Sequence, residues 1–195
     1  MTVAFRSVNT NDTSCTIQGV SWLQFESIEA AFSNIEGVRF VYLDGVLEIM
    51  TLSSEHEDVK STIGLLLEAY MRHFGIRFYK RGSATLGNKE LGGRKEPDES
   101  YNFDVKKAIP DLVIEVVLTS GNINVLDLYL RLGVPEVWYW QDGLLSVYCL
   151  VKEKQIYENL NSSQFFPDLI LSTFTKYITY YDQYEAIAEF IKEIQ

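Results

Sequence analysis

"PDLVIEVVLTS", residues 110–120, is the stretch on which the reading of this chain turns. Its apolar run is that of a strand buried inside a sheet, yet Glu115 stands in the middle of it. An ionised carboxylate is costly to desolvate unless something pairs with it. Side chains alternate along a strand, so Leu112, Ile114 and Val116 form a wholly apolar face. Asp111, Val113, Glu115 and Val117 share the other face. One face is made for a core, and the other carries two acids.

At roughly 3.3 Å rise per residue, Asp111 and Glu115 lie about 13 Å apart, too far to share one metal ion easily. The better partner for Glu115 is Asp98, within "EPDES" at 96–100. It lies 17 residues upstream, enough for a strand and a return loop. Two carboxylates can then converge from neighbouring strands. With waters, such a pair makes a hard-oxygen site for Mg²⁺. That ion would activate water and steady the charge developing on a phosphate. A plainer reading competes: Asp98 as a turn residue, Asp111 as a strand cap, and Glu115 paired with an Arg or Lys.

The flanking segments supply the rest of an α+β domain. Residues 1–18, rich in Thr, Asn and Ser, read as a flexible N-terminal arm, and 19–195 as a single domain. Ser21 is placed to cap a short helix carrying Trp22, Phe25 and Phe32. "VRFVYLDGVLEIM" (38–50) reads as a hairpin turning at Asp44-Gly45. "SSEHEDVKSTIGLLLEAYMRHFG" (53–75) is the clearest helix, capped by Ser53 or Ser54, acidic in its first turn and ended by Gly75.

"IRFYKRGSATL" (76–86) reads as one strand and "GNKELGGRKEPDES" (87–100) as a polar loop leading to Asp98. After strand 110–118 come a short helix over 123–132 and a second hairpin, "PEVWYWQDGLLSVYCLV" (135–151), turning at Asp142-Gly143. The tail from 180 reads as an amphipathic helix. No repeat or linker divides the chain.

Composition narrows the classes. The chain has 195 residues, 47% hydrophobic and 13% aromatic, enough for one well-folded core. A net charge of −10 argues against a protein held on nucleic acid by electrostatics alone. Cys15 and Cys149 have no redox or metal-ligand spacing, which suggests a reduced, cytoplasmic setting. No signal-like or membrane-spanning apolar run is present, so no membrane partner is expected. The aromatic clusters "EVWYW" (136–140) and "YITYYDQY" (177–184) suit core packing or an interface better than base stacking.

Taken in order, "SSEHEDVKSTIGLLLEAY", "RFYKRGSATL", "EPDES", "PDLVIEVVLTSG" and "LYLRLGVPEVWYW" resemble the Uma-type restriction endonuclease family of the PD-(D/E)XK nuclease-like superfamily. The likeness runs over about residues 35 to 150. It implies a restriction-endonuclease-like core, a mixed central β-sheet flanked by α-helices. It also implies endonuclease activity on DNA, dependent on Mg²⁺ (or Mn²⁺), and makes a homodimer an expectation. By the same resemblance Asp98 and Glu115 are the metal-binding, catalytic carboxylates. Glu57 is a candidate third catalytic acid, and Asp111 a second-rank metal ligand. An acid near a helix start, such as Glu57, is also favoured by the helix dipole alone. His56 beside it has no second histidine at ligand spacing and reads as structural.

One group is missing. Superfamily members hold a lysine near the metal, to orient the attacking water and offset charge on the phosphate. Two residues after Glu115 stands Val117. The resemblance moves the lysine to the next helix, four residues before the tyrosine that here is Tyr129, and that position is Val125. Val125, Leu128, Tyr129 and Leu132 share one stripe, while Arg131 points elsewhere. Lys60, Lys80, Arg81, Arg94 and Lys95 are the other cations available, and spacing does not choose among them. Two readings follow: an active nuclease with a relocated cation, or a degenerate nuclease fold serving as a binding or assembly module.

Overall fold

The structure, a computed structural model, describes residues 12–118 and 123–195. Within the stretch read as an arm, Thr13–Gln18 forms strand β1, while residues 1–11 lie outside the described part. Helix α1, Trp22–Ala31, starts at Ser21. The Ser21 side chain accepts from Gln24 N–H, and the Gln24 side chain accepts from Ser21 N–H. This reciprocal cap satisfies two otherwise unpaired donors.

Strands β2 (Val38–Leu43) and β3 (Val46–Thr51) form the expected hairpin. Asp44 and Gly45 both take positive φ, 48° and 85°, the conformation Asp-Gly favours in a two-residue turn. Helix α2 (Ser54–His73) is capped by Ser53 Oγ, which accepts from His56 N–H. Glu55 and Glu57 occupy its first turn, Arg72 and His73 its last, matching the helix dipole at both ends.

The segment read as one strand over 76–86 is divided into β4 (Phe78–Lys80) and β5 (Leu86–Asn88). Gly82, at φ +56°, lies in the turn between them. The segment read as a loop contains β6 (Gly93–Lys95), which pairs with β5. These short strands escape a periodicity reading because glycine, not alternation, shapes them. Gly87 has φ +93°, and a Cβ there would sit 2.2 Å from the Gly93 carbonyl oxygen. Only glycine permits that approach.

Strand β7 (Glu99–Phe103) and β8 (Leu112–Val117) follow. Helix α3 (Val125–Leu132), closed by Gly133 at φ 71°, crosses over to β9 (Glu136–Gln141). The β9–β10 hairpin, with β10 at Leu144–Val151, turns at Asp142 and Gly143 as expected. Strand β11 (Ile156–Leu160), helix α4 (Leu171–Ile178) and helix α5 (Gln183–Glu193) complete the described elements.

Two sheets result. The first has the order β1-β3-β2-β6-β5, and the second β11-β10-β9-β8-β7-β4. The second is mixed, because β8 and β9 run parallel across the α3 crossover while its other pairs are antiparallel. The two faces of β8 divide as alternation requires. Leu112, Ile114 and Val116 join the core under α2, α4 and α5, with Ile63, Phe174 and Phe190. Val113 packs on the other side with Tyr129, Val134 and Val137. The first sheet docks against α3 through Arg131, whose guanidinium donates to both Asp44 carboxylate oxygens (2.8 and 2.5 Å) and to the Leu91 carbonyl (2.8 Å). This is the restriction-endonuclease-like α+β arrangement.

Candidate active site

The β7–β8 register pairs Glu99 with Ile114, so Asp98 comes one step further along, level with Glu115. Val116 N–H donates to Asp98 Oδ2 at 2.8 Å, which ties the acid to the strand carrying Glu115. His56 Nε2 lies 3.3 Å from the same oxygen and 3.0 Å from the Val116 carbonyl oxygen. Two acceptors around one ring nitrogen require the proton to sit on Nε2. Burial works to lower the His56 pKa, but the Asp98 carboxylate more than offsets it and the net shift is upward. For Asp98, burial works upward, but His56 and Lys95 prevail and hold the carboxyl below its usual range.

Glu115 is 3% exposed, and both of its oxygens are engaged. Tyr129 OH donates a hydrogen bond to Oε1, and Lys95 Nζ stands 3.0 Å from Oε2. Burial pushes the Glu115 carboxyl up to about 7 against the pull of the Lys95 ammonium. Lys95 is itself buried, which works to lower its pKa. Glu115 and then Asp98 outweigh this, raise it, and keep the ammonium charged.

Lys95 reaches Glu115 from the other sheet. It sits opposite Val41 of β2, and Val41 sits opposite Glu48 of β3. The three therefore share one face. That face and the Glu115 end of β8 line a common pocket of about 520 Å³. Val125 lines it as well, so the helix position expected to carry a lysine does reach this space. Gly93 makes room for the approach: a Cβ there would lie 2.8 Å from Leu128 of α3 and 2.9 Å from Leu43.

The other candidates lie elsewhere. Asp111 is held by Lys107 Nζ (2.7 and 2.8 Å) and Phe103 N–H (2.9 Å), and it is not among the residues lining the pocket. Glu57 pairs with Lys60 at 2.5 Å, and neither lines the pocket. Lys80 binds Glu68 and Glu99, Arg81 reaches Asn102 and the Lys107 carbonyl, Arg94 pairs with Glu29, and Arg131 with Asp44. Of the cations open from sequence, Lys95 is the one that meets Glu115. His56, read as structural, holds Asp98, and Tyr129 holds Glu115. Both lie in motifs already singled out, but neither spacing nor periodicity signals a hydrogen bond across the fold.

The described lining residues include six carboxylates against two cations, Arg39 and Lys95. Both cations are paired with acids, Arg39 with Glu96 at 3.2 Å. A phosphate entering such a space meets repulsion unless added cations neutralise it. Among the described residues, no three His, Cys, Asp or Glu side chains converge as a ready-made metal cage. The donor set fits an ion bound by a few carboxylate oxygens that keeps several of its waters, as Mg²⁺ does. Carboxylate oxygens have lone pairs to spare beyond one hydrogen bond each, so Asp98 and Glu115 remain competent ligands.

The mixed sheet places an aspartate and a glutamate at one concave site, a lysine from the second sheet joins them there, and the fold is that of a nuclease-like protein. The chain belongs to the Uma2 family, described as "Putative restriction endonuclease", whose family model matches residues 22–175. No curated protein matches it. Among the described residues, no helix is long and apolar enough to cross a membrane.

Proposed function

We propose that this protein is an endonuclease that hydrolyses DNA phosphodiester bonds with the help of Mg²⁺ or Mn²⁺, and that Lys95 supplies the cation absent at position 125. One observation carries this reading: Lys95 Nζ lies 3.0 Å from Glu115 Oε2, in the pocket that also holds Asp98. A divalent ion bound by Asp98 and Glu115 would supply an activated water and Lewis-acid stabilisation of the phosphate. The Lys95 ammonium stands ready to offset charge developing on a phosphate oxygen. Glu115 holds that ammonium in place, and Tyr129 holds Glu115. His56 and the Val116 N–H orient Asp98.

The test is cleavage of plasmid and single-stranded DNA by purified protein with Mg²⁺ or Mn²⁺, with and without a chelator. Cutting is expected only with metal, and Glu115→Gln is expected to abolish it. An intact substrate across all metals would overturn the enzymatic reading and favour the degenerate, binding-module alternative.

A further inference from the structure

Glu48 is a buried acid at this site that the proposed reaction leaves unused. It is 2% exposed, it lines the pocket, and its Oε1 is buried with no hydrogen-bond partner among the described residues. Neither an ion pair nor a hydrogen bond is formed by its side chain there, although Lys95 feels its charge.

Other buried acids of the chain differ in this respect. Glu136, fully buried, receives Trp138 Nε1 (2.6 Å), Ser163 Oγ (2.6 Å), Gln164 N–H (2.8 Å) and Cys149 Sγ (3.4 Å). That set of donors explains why a carboxylate is tolerated inside the fold. Glu99 also has a buried oxygen without a partner, but its other oxygen meets Lys80 at 3.1 Å. Among the described residues Glu48 has no hydrogen bond or close ion pair of this kind, and a buried acid without one is costly.

Its placement is equally specific. Tyr42 and Leu47 turn toward α1 and pack with Val20 and Phe25. The alternate positions, Val41 and Glu48, face the pocket. Glu48 and Lys95 flank Val41 on neighbouring strands, two strand spacings or roughly 10 Å apart at Cα. Glutamate and lysine side chains are long enough to converge over that distance.

We infer that Glu48 is a third acidic residue of the metal site, reaching from the opposite sheet to accept hydrogen bonds from water carried by a divalent ion at Asp98 and Glu115. This rests on the proposed function, since it needs an ion at those two acids. It accounts for the orphaned oxygen, because metal-bound water is a strong donor. It also makes the site a joint product of both sheets, two acids from one and Glu48 with Lys95 from the other.

The test is Mn²⁺ binding, read by calorimetry and by the metal-induced rise in Tm, on wild type, Glu48→Gln, Glu48→Met and Asp98→Asn. Wild type is expected to bind, and both Glu48 variants to bind at least tenfold more weakly. Both should be at least as heat-stable as wild type without metal and should gain less from it. A merely structural Glu48 would instead lower the metal-free Tm and leave affinity unchanged, which overturns the inference. If Glu48→Gln and Glu48→Met bind like wild type while Asp98→Asn does not, the inference falls and the two-acid site stands. Absence of binding in wild type overturns both. Should Glu48→Gln fail to fold, Glu48→Met, similar in volume and free of polar atoms, decides between the same outcomes.

Discussion

Lys95 of β6 and Glu115 of β8 form a buried ion pair that joins the two sheets, with Nζ 3.0 Å from Oε2. The lysine comes from β6, which is paired on both sides by β2 and β5, and not from the crossover helix α3. Breaking a buried pair by removing one partner typically costs about 3–5 kcal/mol. Lys95→Met is therefore expected to lower the unfolding free energy by a few kcal/mol, measured by denaturant unfolding. The loss should be smaller at about pH 5 than at about pH 8, because a lone Glu115 can escape by taking up a proton.

Tyr129→Phe removes the hydroxyl that donates to Glu115 Oε1 and changes little else in volume. A buried acceptor left short of a donor costs about 1–3 kcal/mol. Thermal unfolding should register that loss, and the cleavage rate should fall with it, because Glu115 is freer to turn away from Lys95.

The pH dependence has a definite sign. Glu115, pushed up to about 7 by burial, binds a proton in the folded state at pH values where the unfolded chain has released it. Stability from this group is thus present at low pH and declines as pH rises from about 4.5 to about 7. His56, also raised, adds a contribution that fades as pH climbs through its folded pKa. Asp98, lowered, acts oppositely: its contribution disappears as pH falls below the usual carboxylate range. Tm measured against pH should therefore peak on the acidic side of neutral, and Glu115→Gln should flatten the decline. Saturating Mg²⁺ should flatten it too, since a bound cation favours the ionised carboxylate.

Gly87→Ala tests whether Lys95 depends on the β5–β6 hairpin. Its Cβ would meet the Gly93 carbonyl oxygen at 2.2 Å, in a backbone at φ +93° that alanine rarely adopts. A destabilisation of about 1–3 kcal/mol is expected, with a fall in cleavage rate. Gly19→Ala, also at positive φ but with open space around it, should cost stability without a comparable loss of rate.

Asp111→Asn separates the two acids of one strand face. Asp111 is bound by Lys107 and the Phe103 N–H and does not line the pocket. The variant should cleave at a rate within about twofold of wild type while losing roughly 1 kcal/mol of stability, the usual worth of one such hydrogen bond.

Much of this was legible in the residues. The alternation of 112–117 correctly divides β8 between two cores, and Asp44-Gly45 and Asp142-Gly143 mark their hairpins. Asp98 comes level with Glu115 on the neighbouring strand, the placement that the strand–return–strand spacing suggests, and accepts from the Val116 N–H. The cation did not emerge in the same way. Lys95 sits in a three-residue strand shaped by glycines, and its partner lies on another sheet, so no local period announces it. Tyr129 and Val125 were readable as a helix stripe, but that stripe also suits plain core packing. Glu48 looks like an ordinary alternating residue of a hairpin until its burial, with Oε1 unpartnered among the described residues, sets it apart. Strand β1 was hidden because a polar sequence at a sheet edge resembles a loose arm.

In the proposed mechanism Lys95 performs the work of a lysine at position 125. The direct measurement is the single-turnover rate of metal-dependent DNA cleavage by wild type, Lys95→Met, and Lys95→Met combined with Val125→Lys. Loss of a charge-stabilising group should slow Lys95→Met by about 100-fold or more, and a lysine restored on the helix that lines the same pocket should recover part of the rate. Cleavage by Lys95→Met at the wild-type rate would contradict it.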